Sequence, residues 1–242
     1  SQRLWGKYRH TSLFLTHVSD YPTLLSTEPH LKLLSAILSH FEVETLLRPT
    51  LYSSHEDTRL VDFILKKYAL QQQPIAAIHL ASASKEKELP VDKFIPSIQY
   101  LYQAGFKIIA IGSDNERLFY HRLQQESNIE IINLCGETSL RVSALLLARC
   151  ALLFSLDSGP VHMAAAAGCP NIVGLYGPTS ETQWAPWPYA GHFTAIYNTQ
   201  LNCRPCLPKI CEHNLCREGL TDAWILQQLR THVSQYIGPV AH

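Results

Sequence analysis

The chain has 242 residues, of which 46% are hydrophobic and 17% are charged, and its formal net charge is zero. This composition is that of an ordinary globular protein with a sizeable core. The balanced, scattered charge argues against a nucleic-acid surface, and no apolar run approaches the length of a membrane span. No secretory signal peptide is recognisable, and the first residue is Ser1 rather than methionine, so we expect a fragment of a longer protein.

The first 73 residues are less regular than those that follow. Apolar spacing predicts one helix over Pro29–Leu47 and a second over Ser54–Leu70, with a serine as the N-cap of the second. Gln71–Pro74 is typical of a joint between segments. The residues expected to make the apolar contacts of the second helix are Leu60, Phe63, Ile64 and Leu65.

From Ile75 onward, short apolar runs alternate with helical segments, which predicts an α/β fold with a parallel sheet. The predicted strands are Ile75–Leu80, Lys107–Gly112, Glu130–Leu134, Ala151–Leu156, Asn171–Tyr176 and Thr194–Tyr197. The predicted helices are Asp92–Ala104, Asn115–Glu126, Thr138–Cys150, Val161–Ala167 and Thr221–Tyr236. Neither the glycine fingerprint of NAD and FAD sites nor a GxxxxGK[ST] phosphate loop occurs in the sequence.

The stretch Ala151–Thr179 reads as strand, tight turn, short helix and second strand. Pro160 suits the start of the helix because it has no N–H group to leave unpaired there. The following alanines favour helix, and Gly168 suits its C-terminal end. The turn at residues 157–159 therefore lies between a buried strand and a helix N-terminus.

This turn is the candidate ligand site. The amides of Ser158, Gly159 and Val161 are expected to be unpaired at a helix N-terminus, which attracts anions, and Gly159 lets a ligand approach the backbone closely. Asp157 and His162 flank the turn. Because a carboxylate repels phosphate, we expect Asp157 to bind hydroxyls or to fix the turn. The simpler alternative is that Asp157 and Ser158 only cap the helix.

The loops after the first, second and fourth predicted strands should converge at one edge of the sheet, where open α/β folds bind ligands. They carry Ser82 and Lys87, Glu116, and the turn at 157–159. This set suits a nucleotide, with a cation and amides for a diphosphate and a carboxylate for ribose hydroxyls. Taken singly, Lys87 is equally a solvated loop lysine, and Glu116 a carboxylate favoured by a helix N-terminus.

Together these residues resemble glycosyltransferase family nine, the ADP-heptose:lipopolysaccharide heptosyltransferases. The stretch DSGPVHMAAAAGCPNIVGLYGPT is similar to the family pattern D-[ST]-G-x-x-H-x-A-A-A-x-G-x-P followed by [LVF]-[FY]-G-P-T, and CGETSL is similar to the family's G-x-T-S-L segment. The resemblance implies a Rossmann-like C-terminal domain of a GT-B fold. It implies residues 1–73 as the tail of the N-terminal acceptor domain with the interdomain connection, and residues 74–242 as the nucleotide-sugar-binding domain.

The resemblance also implies roles for individual residues. The donor diphosphate falls at Ser158 and Gly159, with Asp157 and His162 next to the donor sugar and phosphates. The other implied donor-binding residues are Lys87 and Ser82 near the phosphates, Glu116 at the ribose and Thr138 in the nucleoside pocket. Lys87 matches the lysine of the family's K-x-W-P element, although Leu89 stands where the family has tryptophan.

The resemblance implies transfer of heptose from a nucleotide sugar, ADP-heptose, with inversion and without a catalytic cofactor. The acceptor would be a lipid-linked oligosaccharide of the lipopolysaccharide inner core, at the cytoplasmic face of the inner membrane. The family's general base is a carboxylate in a loop near the start of the N-terminal domain. No such loop is found in this sequence, so we predict donor binding with little or no transfer by this chain alone.

Four of the seven cysteines follow the spacing C-x2-C-x4-C-x4-C. Four thiolates suit a structural zinc or an iron–sulfur cluster; free thiols or disulfides are the alternative. These residues are Cys203, Cys206, Cys211 and Cys216. The aromatic residues Trp184, Trp187 and Tyr189 predict a packed loop that covers the sheet edge, or else a wall of the ligand cleft.

Two other functions stay open at the level of the sequence. The chain is compatible with a degenerate, non-catalytic transferase that contacts another protein, and with a GT-B-like enzyme acting on UDP sugars.

Overall fold

Six parallel strands form one sheet, in the order β3-β2-β1-β4-β5-β6, in a computed structural model that describes residues 51–82, 84–186, 189–206, 211 and 213–238. The strands are β1 (Ile75–His79), β2 (Lys107–Ala110), β3 (Ile132–Asn133), β4 (Leu152–Leu156), β5 (Asn171–Leu175) and β6 (His192–Ile196). Each strand pairs in parallel with its neighbours, with Ala76 of β1 opposite both Ile108 of β2 and Leu152 of β4.

The helices of the described residues are α1 (His55–Lys67), α2 (Ile95–Gln103), α3 (Arg117–Ser127), α4 (Leu140–Leu147), α5 (Gly159–Ala167), α6 (Leu215–Glu218) and α7 (Asp222–Tyr236). Helices α2 to α5 each connect two successive strands. Short 3-10 turns at Val91–Phe94 and Asp114–Glu116 precede α2 and α3. The predicted parallel α/β fold is therefore confirmed, with element ends shifted by a few residues. The short helix α6 was not predicted. The helix predicted over Pro29–Leu47 lies outside the described residues.

The two faces of the sheet are covered by different helices, because crossovers between parallel strands place helices on both faces. Helices α2 and α7 cover one face, where Ile98 of α2 and Leu229 of α7 pack in one apolar cluster with Phe94. Helices α1 and α4 cover the other face, where Val61 of α1 and Leu146 of α4 pack in a second apolar cluster. Every residue of β1, β4 and β5 is buried, which explains why these strands read as continuous apolar runs rather than alternating ones.

Helix α1 begins with a reciprocal capping box. The Ser54 hydroxyl accepts the Asp57 amide N–H at 3.1 Å, and the Asp57 carboxylate accepts the Ser54 amide N–H at 2.8 Å. The helix buries Ile64 and Leu65, as expected. The prediction was wrong for Leu60 and Phe63, which are 46% and 63% exposed because α1 turns the face with Val61, Ile64 and Leu65 to the core.

Helix α1 precedes residue 74 but belongs to the same apolar cluster as β1 and β4. The expected boundary between residues 73 and 74 stays a prediction. Among the described residues, no helix combines the length and the apolar character that crossing a bilayer requires.

Candidate functional site

The turn after β4 has the predicted form. Ser158 is extended (φ −160°), α5 starts at Gly159 with Pro160 in its first turn, and Gly168 ends it in the left-handed region (φ 80°). The amides of Ser158 and Gly159 have no hydrogen-bond acceptor among the described residues. A Cβ placed on Gly159 would meet no atom of the described residues within 4 Å, so this part of the backbone is not covered by them.

One amide in this turn does not behave as expected. The Val161 N–H donates to the Ser158 carbonyl at 3.1 Å and is therefore paired. The capping alternative is also wrong for Ser158, whose side chain makes no cap hydrogen bond to the helix. The open helix N-terminus consequently consists of the Ser158 and Gly159 amides together with the positive end of α5.

Asp157 fixes the turn rather than facing solvent. It is 4% exposed, and its carboxylate accepts hydrogen bonds from Lys87 Nζ at 2.7 Å and from Thr179 Oγ1 at 2.6 Å. Lys87 Nζ also donates to the Asp157 carbonyl at 3.0 Å. Asp157 therefore joins the loops that follow β1, β4 and β5. Thr179 was not predicted to take part in the site.

The cation of Lys87 is held at the edge of the turn by this ion pair. Its ammonium group has three N–H donors, and Asp157 accepts two of them. The Lys87 side chain is 26% exposed, so a further donor is available to an incoming anion. The buried carboxylate positions the lysine, and the lysine offsets the charge of the carboxylate.

Glu116 lies in the loop after β2 and is held differently. Its Oε2 accepts the Ser113 amide N–H at 2.7 Å, in a capping box at the start of the 3-10 turn. Burial acts to raise the pKa of Glu116, but hydrogen bonding and charge interaction with His79 and the bonds to Ser113 outweigh it and lower the pKa. A Cβ on Gly112 would collide with Glu116 Oε2, so a larger residue there would displace this carboxylate.

His79 is a site residue that the sequence did not reveal. It is the last residue of β1 and is 7% exposed. Its Nδ1 lies 3.0 Å from Ser158 Oγ, and its Nε2 lies 3.5 Å from Glu116 Oε1. The one available signal was a polar residue at the end of the apolar run IAAIH.

The remaining predicted residues lie at more peripheral places. His162 lies in the first turns of α5 and is exposed. Partial desolvation by neighbouring atoms lowers its pKa, as does the charge of Lys87, while the charge of Asp157 acts to raise it. The Ser82 hydroxyl accepts the Ser84 amide N–H at 3.1 Å. Thr138 Oγ1 lies 2.8 Å from Ser143 Oγ. The structure shows no contact of these side chains that by itself assigns them to a ligand.

Two arginines of the cysteine-rich segment hold the loops of the site. Arg204 donates from Nε to the Gly177 carbonyl at 2.6 Å and from Nη2 to the Thr179 carbonyl at 2.7 Å. Arg217 donates to the Lys85 carbonyl at 2.7 Å. The segment that carries the cysteines therefore supports both loops that converge on Asp157, which the sequence did not predict.

The four clustered cysteines are free thiols in this structure. Cys206 Sγ donates to the Cys203 carbonyl at 3.1 Å, and burial raises the pKa of both Cys206 and Cys216. Within the described part of the chain, no group of three or more His, Cys, Asp or Glu side chains is arranged to hold a metal ion. The four thiols are therefore not arranged around a common metal position in this structure. A zinc or iron–sulfur site at these cysteines stays a prediction.

The aromatic segment after β5 packs against the protein. Tyr189 donates its hydroxyl to the Cys169 carbonyl at 2.6 Å, and Tyr176 donates to the Trp184 carbonyl at 3.1 Å. Trp184 is 41% exposed. Trp187 lies outside the described residues.

An open parallel sheet with this strand order, and with helices on both faces, defines a Rossmann-like α/β domain. The family description "Glycosyltransferase family 9 (heptosyltransferase)" matches residues 6–216, and the chain belongs to this family. The resemblance found in the sequence is thereby confirmed.

Curated relatives match parts of the chain. Lipooligosaccharide heptosyltransferase 2 of Campylobacter jejuni subsp. jejuni serotype O:2 is 30% identical over 112 residues, which cover 46% of this chain and 34% of that protein. Lipooligosaccharide heptosyltransferase 2 of Haemophilus influenzae is 26% identical over 174 residues, covering 69% of this chain and 50% of that protein. The chain thus spans only part of the length of these relatives.

Solved structures share the fold. The family 9 glycosyl transferase of Veillonella parvula aligns with a TM-score of 0.73 and 20% identity, over 91% of this chain and 64% of that one. E. coli heptosyltransferase WaaC, solved with ADP, aligns with a TM-score of 0.59 and 20% identity, over 91% of this chain and 61% of that one. These similarities confirm the expected GT-B type of Rossmann-like domain.

Proposed function

We propose that this chain binds the nucleotide-sugar donor of a heptosyltransferase, with ADP-heptose as donor and the lipopolysaccharide inner core as acceptor. The observation that carries the proposal is the open N-terminus of α5. Among the described residues, the Ser158 and Gly159 amides have no acceptor, and no atom lies within 4 Å of a Cβ placed on Gly159. Family membership and the names of the relatives support the choice of donor and acceptor.

The geometry suits a diphosphate. Two amide donors and the dipole of α5 meet at the turn. Lys87 stands beside them with a free N–H donor and with its side chain fixed by Asp157. Because Asp157 is buried and bound to Lys87 and Thr179, its charge is offset and is directed away from an incoming anion.

The geometry also suits a ribose. Glu116 keeps its carboxylate ionised, because His79 and Ser113 lower its pKa. A carboxylate is acceptor-only and takes hydrogen bonds from hydroxyl groups. For Thr138, in the loop that precedes α4, the proposed place in the nucleoside pocket rests on the family resemblance.

The reaction that follows from the proposed donor is glycosyl transfer. An acceptor hydroxyl attacks the anomeric carbon of the heptose, the bond from that carbon to the diphosphate oxygen breaks, and ADP leaves. The side chains described above hold the leaving diphosphate, and none of them is proposed as the base that takes the acceptor proton. With a lipid-linked acceptor, the protein would work in the cytoplasm at the inner membrane surface.

Isothermal titration of the folded chain with ADP, UDP and GDP tests this proposal. We expect saturable binding of ADP, and weaker binding of UDP and GDP. The Lys87→Ala variant should bind ADP about tenfold or more weakly, because a charge-assisted hydrogen bond is lost. Lys85→Ala is the matched control, since Lys85 is an exposed lysine of the same loop that takes part only through its carbonyl.

The outcomes separate the alternatives. Preferential binding of UDP would favour an enzyme acting on UDP sugars. Failure of a folded chain to bind any of the three nucleotides would overturn the donor-binding function and favour a non-catalytic module. Equal losses in Lys87→Ala and Lys85→Ala would remove Lys87 from the site.

A further inference from the structure

A chain of polar contacts connects two loops at the site. It runs from Ser158, after β4, through the ring of His79, at the end of β1, to Glu116, after β2. The contacts are 3.0 Å from Ser158 Oγ to His79 Nδ1 and 3.5 Å from His79 Nε2 to Glu116 Oε1. The ring is 7% exposed, so it lies behind the surface that a ligand would touch.

The tautomer of a neutral His79 ring follows from its two partners. Glu116 is held ionised and can only accept, so the N–H of a neutral His79 belongs on Nε2, facing the carboxylate. Nδ1 is then an acceptor for the Ser158 hydroxyl. The Leu156 carbonyl lies 3.0 Å from Ser158 Oγ and is a second possible acceptor. The Ser158 hydroxyl can therefore donate to a protein atom, whether its hydrogen points to His79 or to Leu156.

This arrangement gives the Ser158 side chain the role of an anchor. Its hydroxyl is bonded inside the protein, while its backbone amide and that of Gly159 stay open to the ligand. The same ring that anchors Ser158 also orients Glu116. The sheet reinforces the anchor, because His79 lies opposite Ser155 in the β1–β4 pairing, and Ser155 Oγ lies 3.3 Å from Ser158 Oγ.

We propose that His79 is a positioning residue that couples the diphosphate-binding turn at Ser158 to the ribose-binding carboxylate of Glu116, so that the two parts of a nucleotide bind cooperatively. This inference rests on the proposed donor-binding function. A ligand that engages one end of the chain finds the other end already oriented, which reduces the ordering cost of binding.

A double-mutant cycle tests the coupling. Calorimetry measures ADP affinity for the wild type, Ser158→Ala, Glu116→Gln and the double variant, and then for the same set in a His79→Ala background. We expect the two losses to be non-additive by about three- to tenfold when His79 is present. In the His79→Ala background, the combined loss of ADP affinity should equal the product of the two single losses.

Two conservative variants separate positioning from general damage to the fold. The His79→Asn amide reaches about as far as Nδ1 and retains the bond to Ser158, whereas His79→Gln reaches about as far as Nε2 and retains the bond to Glu116. With inorganic pyrophosphate as a probe of the phosphate part alone, His79→Asn should bind within about twofold of the wild type, and His79→Gln about three- to tenfold more weakly. Circular dichroism and urea unfolding confirm that each variant is folded.

The results distinguish two kinds of failure. If the wild type binds no ADP, the donor-binding function fails and the role of His79 fails with it. If the wild type binds ADP but the Ser158 and Glu116 losses are additive with His79 in place, only the coupling is overturned. Equal pyrophosphate affinities in His79→Asn and His79→Gln would likewise contradict it.

Discussion

Asp157 and Glu116 are two carboxylates at the same edge of the sheet, and the fold holds them in opposite ways. Asp157 is 4% exposed and joins three loops through Lys87 and Thr179. Glu116 has a side chain that is 16% exposed, and it is held by its own turn and by one histidine. The comparison indicates that Asp157 ties the loops together, whereas Glu116 is the carboxylate that we propose to contact a ligand. The following variants test that division.

The largest effect is expected for Asp157→Ala. Removing this carboxylate leaves the Lys87 ammonium and the Thr179 hydroxyl without their shared acceptor, and we expect a loss of about 2–3 kcal/mol in the free energy of unfolding. Urea unfolding followed by circular dichroism measures it. Asp157→Asn retains an acceptor oxygen and should lose less. Equal stability of Asp157→Ala and the wild type would mean that Asp157 does not organise the loops.

Arg204→Ala should have the next largest effect. The Arg204 side chain is 6% exposed and bonds the Gly177 and Thr179 carbonyls as well as Glu181. Loss of these bonds should lower the free energy of unfolding by about 2 kcal/mol, since the Gly177 and Thr179 carbonyls both lose this donor. Arg204→Lys should recover part of the loss because it restores only one donor group. If Arg204→Ala unfolds at the wild-type urea concentration, the cysteine-rich segment does not support the site.

Glu116 should contribute less to the free energy of unfolding than Asp157 or Arg204, and its contribution should depend on pH. Because the pKa of Glu116 is lowered on folding, its stabilisation is present above the ordinary glutamate value and is lost as the pH falls through the folded value. Glu116→Gln should therefore be less stable than the wild type at pH 7 by about 1 kcal/mol, and the gap should close under acid. Urea midpoints at several pH values check this. A difference in stability between the wild type and Glu116→Gln that grows as the pH falls would contradict a lowered pKa of Glu116.

The sequence predicted the elements of the fold because their signals are local. Apolar runs, the proline and glycine around α5, and the turn at 157–159 all lie within a few residues of one another. The contacts of Asp157 are not local: Lys87 is 70 residues away along the chain, and Thr179 is 22 residues away. No periodicity indicates which loops meet in space.

His79 and the two arginines were missed for the same reason. A single histidine at a strand end has no pattern around it, and Arg204 and Arg217 stand in a segment whose visible signal was its cysteines. The donor-binding roles carried over from the family resemblance, the domain boundary and the metal at the cysteines stay predictions.

The smallest change in stability, and the most direct test of the central claim, is expected for Gly159→Ala. The added methyl meets no atom of the described residues within 4 Å, and the backbone is not left-handed there. The variant should therefore be as stable as the wild type or more stable by about 0.5 kcal/mol. The methyl would stand where the diphosphate approaches the amides. Calorimetry should therefore show ADP affinity reduced by about tenfold or more, with folding intact. An unchanged ADP affinity in a folded Gly159→Ala variant would contradict the proposal that the α5 N-terminus binds the donor.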